Sequence, residues 1–217
     1  TRPADRNDLI AEYYAEQQNV EMAFHIYHTS LEENVRRVVV ASSNHAADYY
    51  ERLILAGKWD VVLPQQRALS DNFYGWAKEA YEHLGFVYAT GQISYAGMHP
   101  ENTATRGLEN VQVRIGGPRE TDIDTIPKGD LQKMYRALGV YISQRDLQQL
   151  FIKSIETEDI RDENGVPFQV FYGISDNSQA FWSIVNARKV IGYAPEDNSE
   201  YRFIEQIREH ILASQTA

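Results

Sequence analysis

Three short, apolar, β-branched runs, each set between stretches of helical spacing, leave this chain very few architectures. They are Val35–Ser42 (VRRVVVAS), Val111–Ile115 (VQVRI) and Phe168–Gly173 (FQVFYG). Such runs are the mark of parallel strands covered on both faces. Before the first, Leu9, Ile10, Tyr13, Tyr14, Val20, Ala23, Phe24, Ile26 and Tyr27 recur near the 3.6-residue period, with Glu and Gln between them. Residues 1–34 therefore read as one long amphipathic helix. Helical spacing returns over Asn72–Tyr88, where Asp71 or Asn72 can cap it. It returns again over Ser143–Glu156, with Asp146 in the first turn, and over Ser178–Val190 and Ser199–Leu212. Strands alternating with helices predict an α/β fold with a parallel sheet and helices on both faces. Ala46–Asp71 lacks periodicity, contains Gly57 and Pro64, and reads as a long loop. The polar stretch from Pro118 to about Tyr135 exceeds an ordinary αβ connection, which makes it a functional candidate.

Composition removes whole classes of function. The 217 residues include no cysteine, which excludes a disulfide framework, thiolate metal sites and a cysteine nucleophile. Lys+Arg 21 against Asp+Glu 31 gives a net charge of −10 without a basic block, so neither nucleic acid nor an anionic membrane is expected as a partner. No apolar run approaches the roughly 18 residues of a membrane span, and no signal-peptide pattern opens the chain. The expectation is a soluble, cytoplasmic protein. A chain that opens on a helix followed at once by a buried strand looks like the middle of an α/β domain. We therefore expect further sequence upstream of Thr1.

Tyr74 and Lys78 carry the first chemical signal. Four residues apart on a helix, they share one face. A free phenol is a poor base at neutrality, but a neighbouring ammonium favours the phenolate and makes tyrosine a usable acid–base group. Alone the spacing is weak, since a core tyrosine beside a surface lysine looks the same. Upstream, however, the strand VVVA runs into Ser42-Ser43-Asn44-His45, and ligands of a parallel sheet bind at the C-terminal strand ends. A hydroxyl there can hold a substrate oxygen while Tyr74 moves a proton.

Strand, serine, loop and then Tyr-x-x-x-Lys on a helix resembles the extended short-chain dehydrogenase/reductases, also called NAD-dependent epimerase/dehydratases. ASSNH at 41–45, FYGWAKEAYE at 73–82, VRIG at 113–116, FYGISDN at 171–177 and IGYAPEDN at 191–198 are similar to one branch of it. That branch holds the uronate dehydrogenases and the archaeal-type NAD-dependent glucose-6-phosphate dehydrogenases. The resemblance implies a Rossmann-like fold and hydride transfer from a carbon of an anionic, uronate-type sugar to NAD, giving a lactone. NADP is the alternative cofactor. It makes Tyr74 the catalytic tyrosine, Lys78 its partner and a ligand of the nicotinamide ribose, and Ser43 the serine that orients the reacting hydroxyl. Asn44, His45 and Gly117 fall at substrate positions, Ile115 at a cofactor position, and Arg136 at the arginine that clamps the sugar's anionic end. Residues 118–142 and 174–217 become substrate-side segments, the latter part of a small C-terminal substrate-binding portion. The helices Asp8–Glu33 and Asn72–Tyr88 become the pair through which a homodimer or higher homo-oligomer forms.

The chain departs from that pattern in three places. Gly117 stands where uronate dehydrogenases carry a serine. Segment 118–135 brings extra cations, Arg119, Lys128 and Lys133, which suit a phosphate or simply a solvated loop. No Gly-x-x-Gly-x-x-Gly or Gly-x-Gly-x-x-Gly occurs, so the nucleotide-loop half of the fold is expected to lie upstream. Asn44-His45 in place of an Asp-Glu pair argues against a sugar dehydratase. A glucose-6-phosphate dehydrogenase, a nucleotide-sugar epimerase and a non-catalytic relative stay open.

Overall fold

In the computed structural model, which describes residues 8–91 and 106–215, three strands form one parallel sheet in the order β1-β2-β3. They are β1 (Arg37–Ser43), β2 (Glu109–Ile115) and β3 (Phe168–Gly173). The helices are α1 (Leu9–Glu32), α2 (Glu51–Leu55), α3 (Phe73–Thr90), α4 (Leu131–Val140), α5 (Gln144–Glu156), α6 (Val185–Ile191), α7 (Ser199–Arg202) and α8 (Ile204–Ser214). The α/β class and the parallel sheet agree with the sequence pattern. The described residues divide into two compact units: 8–49, 67–91, 106–113 and 157–170 make the first, 50–66, 114–156 and 171–215 the second.

In the first unit α1 and α3 pack along each other beside β1. Asp8 caps α1 by accepting from the Ile10 and Ala11 amides, and Asn72 caps α3 by accepting from Gly75 N at 2.9 Å. Gly91 ends α3 in the left-handed region at φ 58°, which glycine enters without a Cβ clash. Ala23, Tyr27, Tyr81 and Leu108 form the core between these elements, with Val38 and Val40 of β1 against it. The Tyr27 hydroxyl donates to the Tyr81 carbonyl and accepts from Gln112 Nε2 at 2.9 Å; burial pushes this phenol up to about 12. Strand β1 is less covered than its sequence implies. Arg37–Val40 are half-buried and Ala41 is exposed, because among the described residues β1 has one neighbouring strand, β2. The Arg37 guanidinium ties the two together through Glu109 at 2.6 Å.

The second unit centres on Ile123, Met134, Leu138, Tyr141 and Phe203. Three sequence readings change here. Ala46–Asp71 is not all loop: 3-10 turns over Asn44–Tyr50, kinked at Ala47, precede α2. The helix expected over Ser178–Val190 begins only at Val185. Before it, Val62 donates its amide to Phe181 O at 2.7 Å and accepts from Ser183 N at 2.9 Å, a parallel bridge that a helix cannot make. The helix expected over Ser199–Leu212 is two helices, broken at Phe203 (φ −114°, ψ 28°) where that ring turns into the core.

Gly85 sets how closely α3 approaches β2. A Cβ there would lie 2.8 Å from Asn110 Oδ1 and 2.9 Å from its Cγ, and Asn110 is itself bonded to Gln112 at 2.7 Å. Gly85→Ala should destabilise the protein by about 1–3 kcal/mol, the cost typical of overpacking. Urea unfolding measures it; wild-type stability would show that α3 is free to shift.

Candidate active site

Strand β1 delivers Ser42 and Ser43 to its C-terminal end, where both are buried. Helix α3 is pinned alongside: Ser42 Oγ donates to Glu82 Oε1 at 2.6 Å, and the Tyr81 hydroxyl donates to the Ala41 carbonyl at 3.3 Å. Burial pushes the Tyr81 phenol far up, with the charge of Glu82 adding to it.

The first turn of α3 carries Tyr74 against the loop that follows β1. A Cβ at Gly75 would collide with the His45 carbonyl oxygen and the Ser70 side chain, so only glycine allows this approach. The His45 ring meets the Tyr74 ring edge-on at 5.6 Å between centroids. Lys78 Nζ lies 5.1 Å from the Tyr74 ring centroid and 4.9 Å from that of Tyr81. Ser43 Oγ accepts from His45 N at 3.2 Å, and Asn44 is buried next to it. The structure thus brings Ser43, Asn44, His45, Tyr74 and Lys78 into one neighbourhood of the first unit.

Sequence reasoning passed over the residue that organises this corner. Asp48 accepts from Ser70 Oγ at 2.9 Å and from Asn72 Nδ2 at 2.9 Å, and it pairs with His45 Nδ1 at 3.0 Å. Asn72 in turn caps α3, so Asp48 links the strand-end loop to the helix that bears Tyr74. Burial alone would raise the Asp48 carboxyl, but the hydrogen bonds from His45, Asn72 and Ser70 outweigh it and hold it below its ordinary value. The available signal was the three-residue spacing of His45 and Asp48 on a short helical turn.

The remaining expected residues lie in the second unit. Ile115 ends β2, and Gly116 N donates to Gly173 O at 2.9 Å. A Cβ at Gly116 would strike the Val140 carbonyl, which explains that glycine. Gly117 donates its amide to Val140 O at 2.7 Å and accepts from Ile142 N at 3.1 Å. It lines a cavity of about 40 Å³ with Arg119, Asp122, Arg136 and Tyr141, room for a water rather than a sugar. Arg136, expected as an anion clamp, is engaged by a carboxylate of this chain: Nε and one Nη lie 3.0 and 3.1 Å from the two oxygens of Glu51.

A parallel α/β sheet with a serine at a strand end and a Tyr–Lys pair on the next helix resembles the arrangement of the extended short-chain dehydrogenase/reductases. Comparison with known proteins agrees. The homologues are uronate dehydrogenases and an NAD-dependent glucose-6-phosphate dehydrogenase, and the structural neighbours are uronate dehydrogenases and UDP-sugar epimerases of that family. The uronate dehydrogenase of Pseudomonas syringae pv. tomato is 28% identical over 182 residues, which cover 84% of this chain and 53% of that protein. The NAD-dependent glucose-6-phosphate dehydrogenase of Haloferax volcanii is 29% identical over 195 residues, 85% of this chain and 63% of that one. A solved mutated uronate dehydrogenase superposes with a TM-score of 0.61 at 25% identity, covering 88% of this chain and 55% of its own. No family model matches. The chain thus spans about half to two-thirds the length of these relatives. Among the described residues no helix is long and apolar enough to cross a membrane.

Asp48→Ala removes the partner of three donors and should cost about 1–3 kcal/mol of stability. The pH dependence has a definite sign. A carboxyl held low in the folded state contributes stability that is full above its unfolded value and is lost as pH falls through the folded one. The stability gap between wild type and Asp48→Asn should therefore narrow as pH drops below the ordinary aspartate value of 3.8. A pH-independent gap, read from denaturant melts, would remove Asp48's charge from the account.

Proposed function

We propose that this chain carries the catalytic centre of an NAD-dependent sugar dehydrogenase, which oxidises a ring carbon of its substrate to a lactone. The observation that carries the reading is Tyr74, whose ring has the His45 ring at 5.6 Å and the Lys78 ammonium at 5.1 Å. Ser43 orients the reacting hydroxyl by hydrogen bond. Tyr74 takes the hydroxyl proton as the carbon loses its hydride, and the Lys78 charge stabilises the negative charge on the tyrosine oxygen. His45, fixed through Nδ1 by Asp48, presents Nε2 to a substrate oxygen.

NAD, when bound, supplies the hydride acceptor. The residues here suit its nicotinamide–ribose end, because a phenol and an ammonium on one helix face can hold a ribose diol. They do not supply a pyrophosphate loop, as no glycine-rich fingerprint occurs in the 217 residues. NADP is the alternative, and binding of either belongs to this proposal.

Self-association is also proposed, through α1 and α3. Leu9, Ile10, Tyr14, Met22 and Ile26 are exposed on α1, with Phe86 and Val87 on α3, an apolar surface that a second copy of the same helix pair would cover. Light scattering should show a dimer or larger species, and a monomer at micromolar concentration would overturn it.

Tyr74→Phe deletes one oxygen and leaves the ring packed. In the whole protein it should cut the rate of NADH formation by a factor on the order of 100 or more. A folded Tyr74→Phe protein with near-normal turnover would sink the mechanism.

A further inference from the structure

Within the first unit the starts of α1 and α3 border one open cavity of about 520 Å³, inside the range of roughly 300–1,000 Å³ usual for small-molecule sites. Four apolar side chains, Leu9, Tyr13, Phe73 and Trp76, line it together with two carboxylates, Glu12 and Asp71. The three rings are already set against one another. Tyr13 stacks on Trp76 at 5.5 Å between centroids and meets Phe73 edge-on at 5.7 Å, and Phe73 meets Trp76 edge-on at 6.4 Å. Ser70 and Asn72 complete the lining, and both donate to Asp48 at 2.9 Å. Walls fixed in this way lose little freedom when a ligand lands on them. Apolar surface nevertheless stays open to water, since Leu9 is 63% and Tyr13 37% exposed.

Charge selects the occupant. No lysine, arginine or histidine lines the cavity, and among the described residues neither Glu12 nor Asp71 pairs with one. The two helix starts carry partial positive charge, about +0.5 each. Side chains of Asp8 and Asn72 already accept from their amides, and two whole carboxylate charges outweigh what is left. An anion is therefore repelled, and a neutral apolar molecule gains nothing from Glu12 and Asp71. A compact, strongly hydrated cation would leave Leu9 and the rings unused. An organic ammonium ion uses both features: its charge is attracted by the rings and the carboxylates, and its alkyl groups cover apolar surface.

We propose that this cavity is a binding site for a small, soluble organic ammonium ion. Binding needs no turnover, so the proposal stands apart from the dehydrogenase reading. Choline is the probe, and 3,3-dimethylbutan-1-ol, the same shape with carbon in place of the charged nitrogen, is its control. Each is titrated into the whole protein while tryptophan emission and light scattering are followed. Choline should change the emission saturably and bind at least about ten-fold more tightly than the alcohol, with an affinity that falls as sodium chloride is raised. Glu12→Gln/Asp71→Asn should weaken choline about ten-fold and leave the alcohol within about two-fold. Trp76→Leu should abolish the emission change although Trp59 and Trp182 remain. If the double variant melts early, Asp71→Asn alone, at an exposed position, should give a smaller loss in the same direction. Equal binding of the two probes, or an unchanged preference in the folded double variant, overturns the assignment. So does capture on phosphatidylcholine vesicles without saturable binding of free choline. Assembly that leaves choline unbound overturns it as well, and gives the cavity to a second copy of the chain.

Discussion

The close approach of α3 to the end of β1 is the contact on which the rest of the first unit depends. It is possible because Gly75 has no side chain to strike the His45 carbonyl and Ser70. It is held by hydrogen bonds at both ends of the interface. Asn72 and Asp48 fasten the first turn of the helix, and Ser42–Glu82 and Ala41–Tyr81 fasten the turns that follow. Buried polar groups are costly unless partnered, so each of these bonds fixes a register as well as contributing stability. The register in turn settles which helix face meets the strand end. That face is the one bearing Tyr74 and Lys78.

Charge compensation plays the corresponding part in the second unit. Three of its cations are bound by carboxylates from distant parts of the sequence: Arg136 by Glu51, Lys128 by Glu209, and Arg202 by Glu120 at 2.8 Å. The exposed pairs add little to stability. Their effect is on potential: residues 118–136 hold Arg119, Lys128, Lys133 and Arg136 against Glu120, Asp122, Asp124 and Asp130, and Glu51 and Glu209 from outside the segment make the balance negative. Lysines and arginines in a sequence are therefore a poor guide to an anion site until their acidic partners are placed.

Where sequence and structure part, tertiary contacts explain the difference. Phe168–Gly173 and the cap and span of α3 were legible because periodicity and capping are local properties. The stretch before Val185 has helical spacing, yet its backbone bridges Val62 from far upstream. The helix through Ser199–Leu212 breaks because Phe203 is drawn into a core built from Ile123, Met134, Leu138 and Tyr141. Burial of one aromatic ring, on the order of 1.5–3 kcal/mol, exceeds the propensity of a single helical residue. In the candidate site, Ser43, Tyr74 and Lys78 stood out through a motif of fixed spacing. Asp48 did not, because its partners Ser70 and Asn72 lie more than twenty positions away.

The sequence by itself determined the α/β class, the parallel sheet and the family likeness, along with the helix face that carries Tyr74 and Lys78. All of these follow from patterns repeated within a turn, a strand or a short motif. Only the tertiary structure decided that α3 sits close enough for Tyr74 to meet His45, that Asp48 anchors that loop, and that Glu51 occupies Arg136. Those outcomes depend on pairs brought together across 20 to 85 residues of chain, as the 85-residue separation of Arg136 and Glu51 shows. No local pattern encodes such pairs. Hydrogen-bond and charge partners at that distance are selected by packing, after the strands and helices have taken their places.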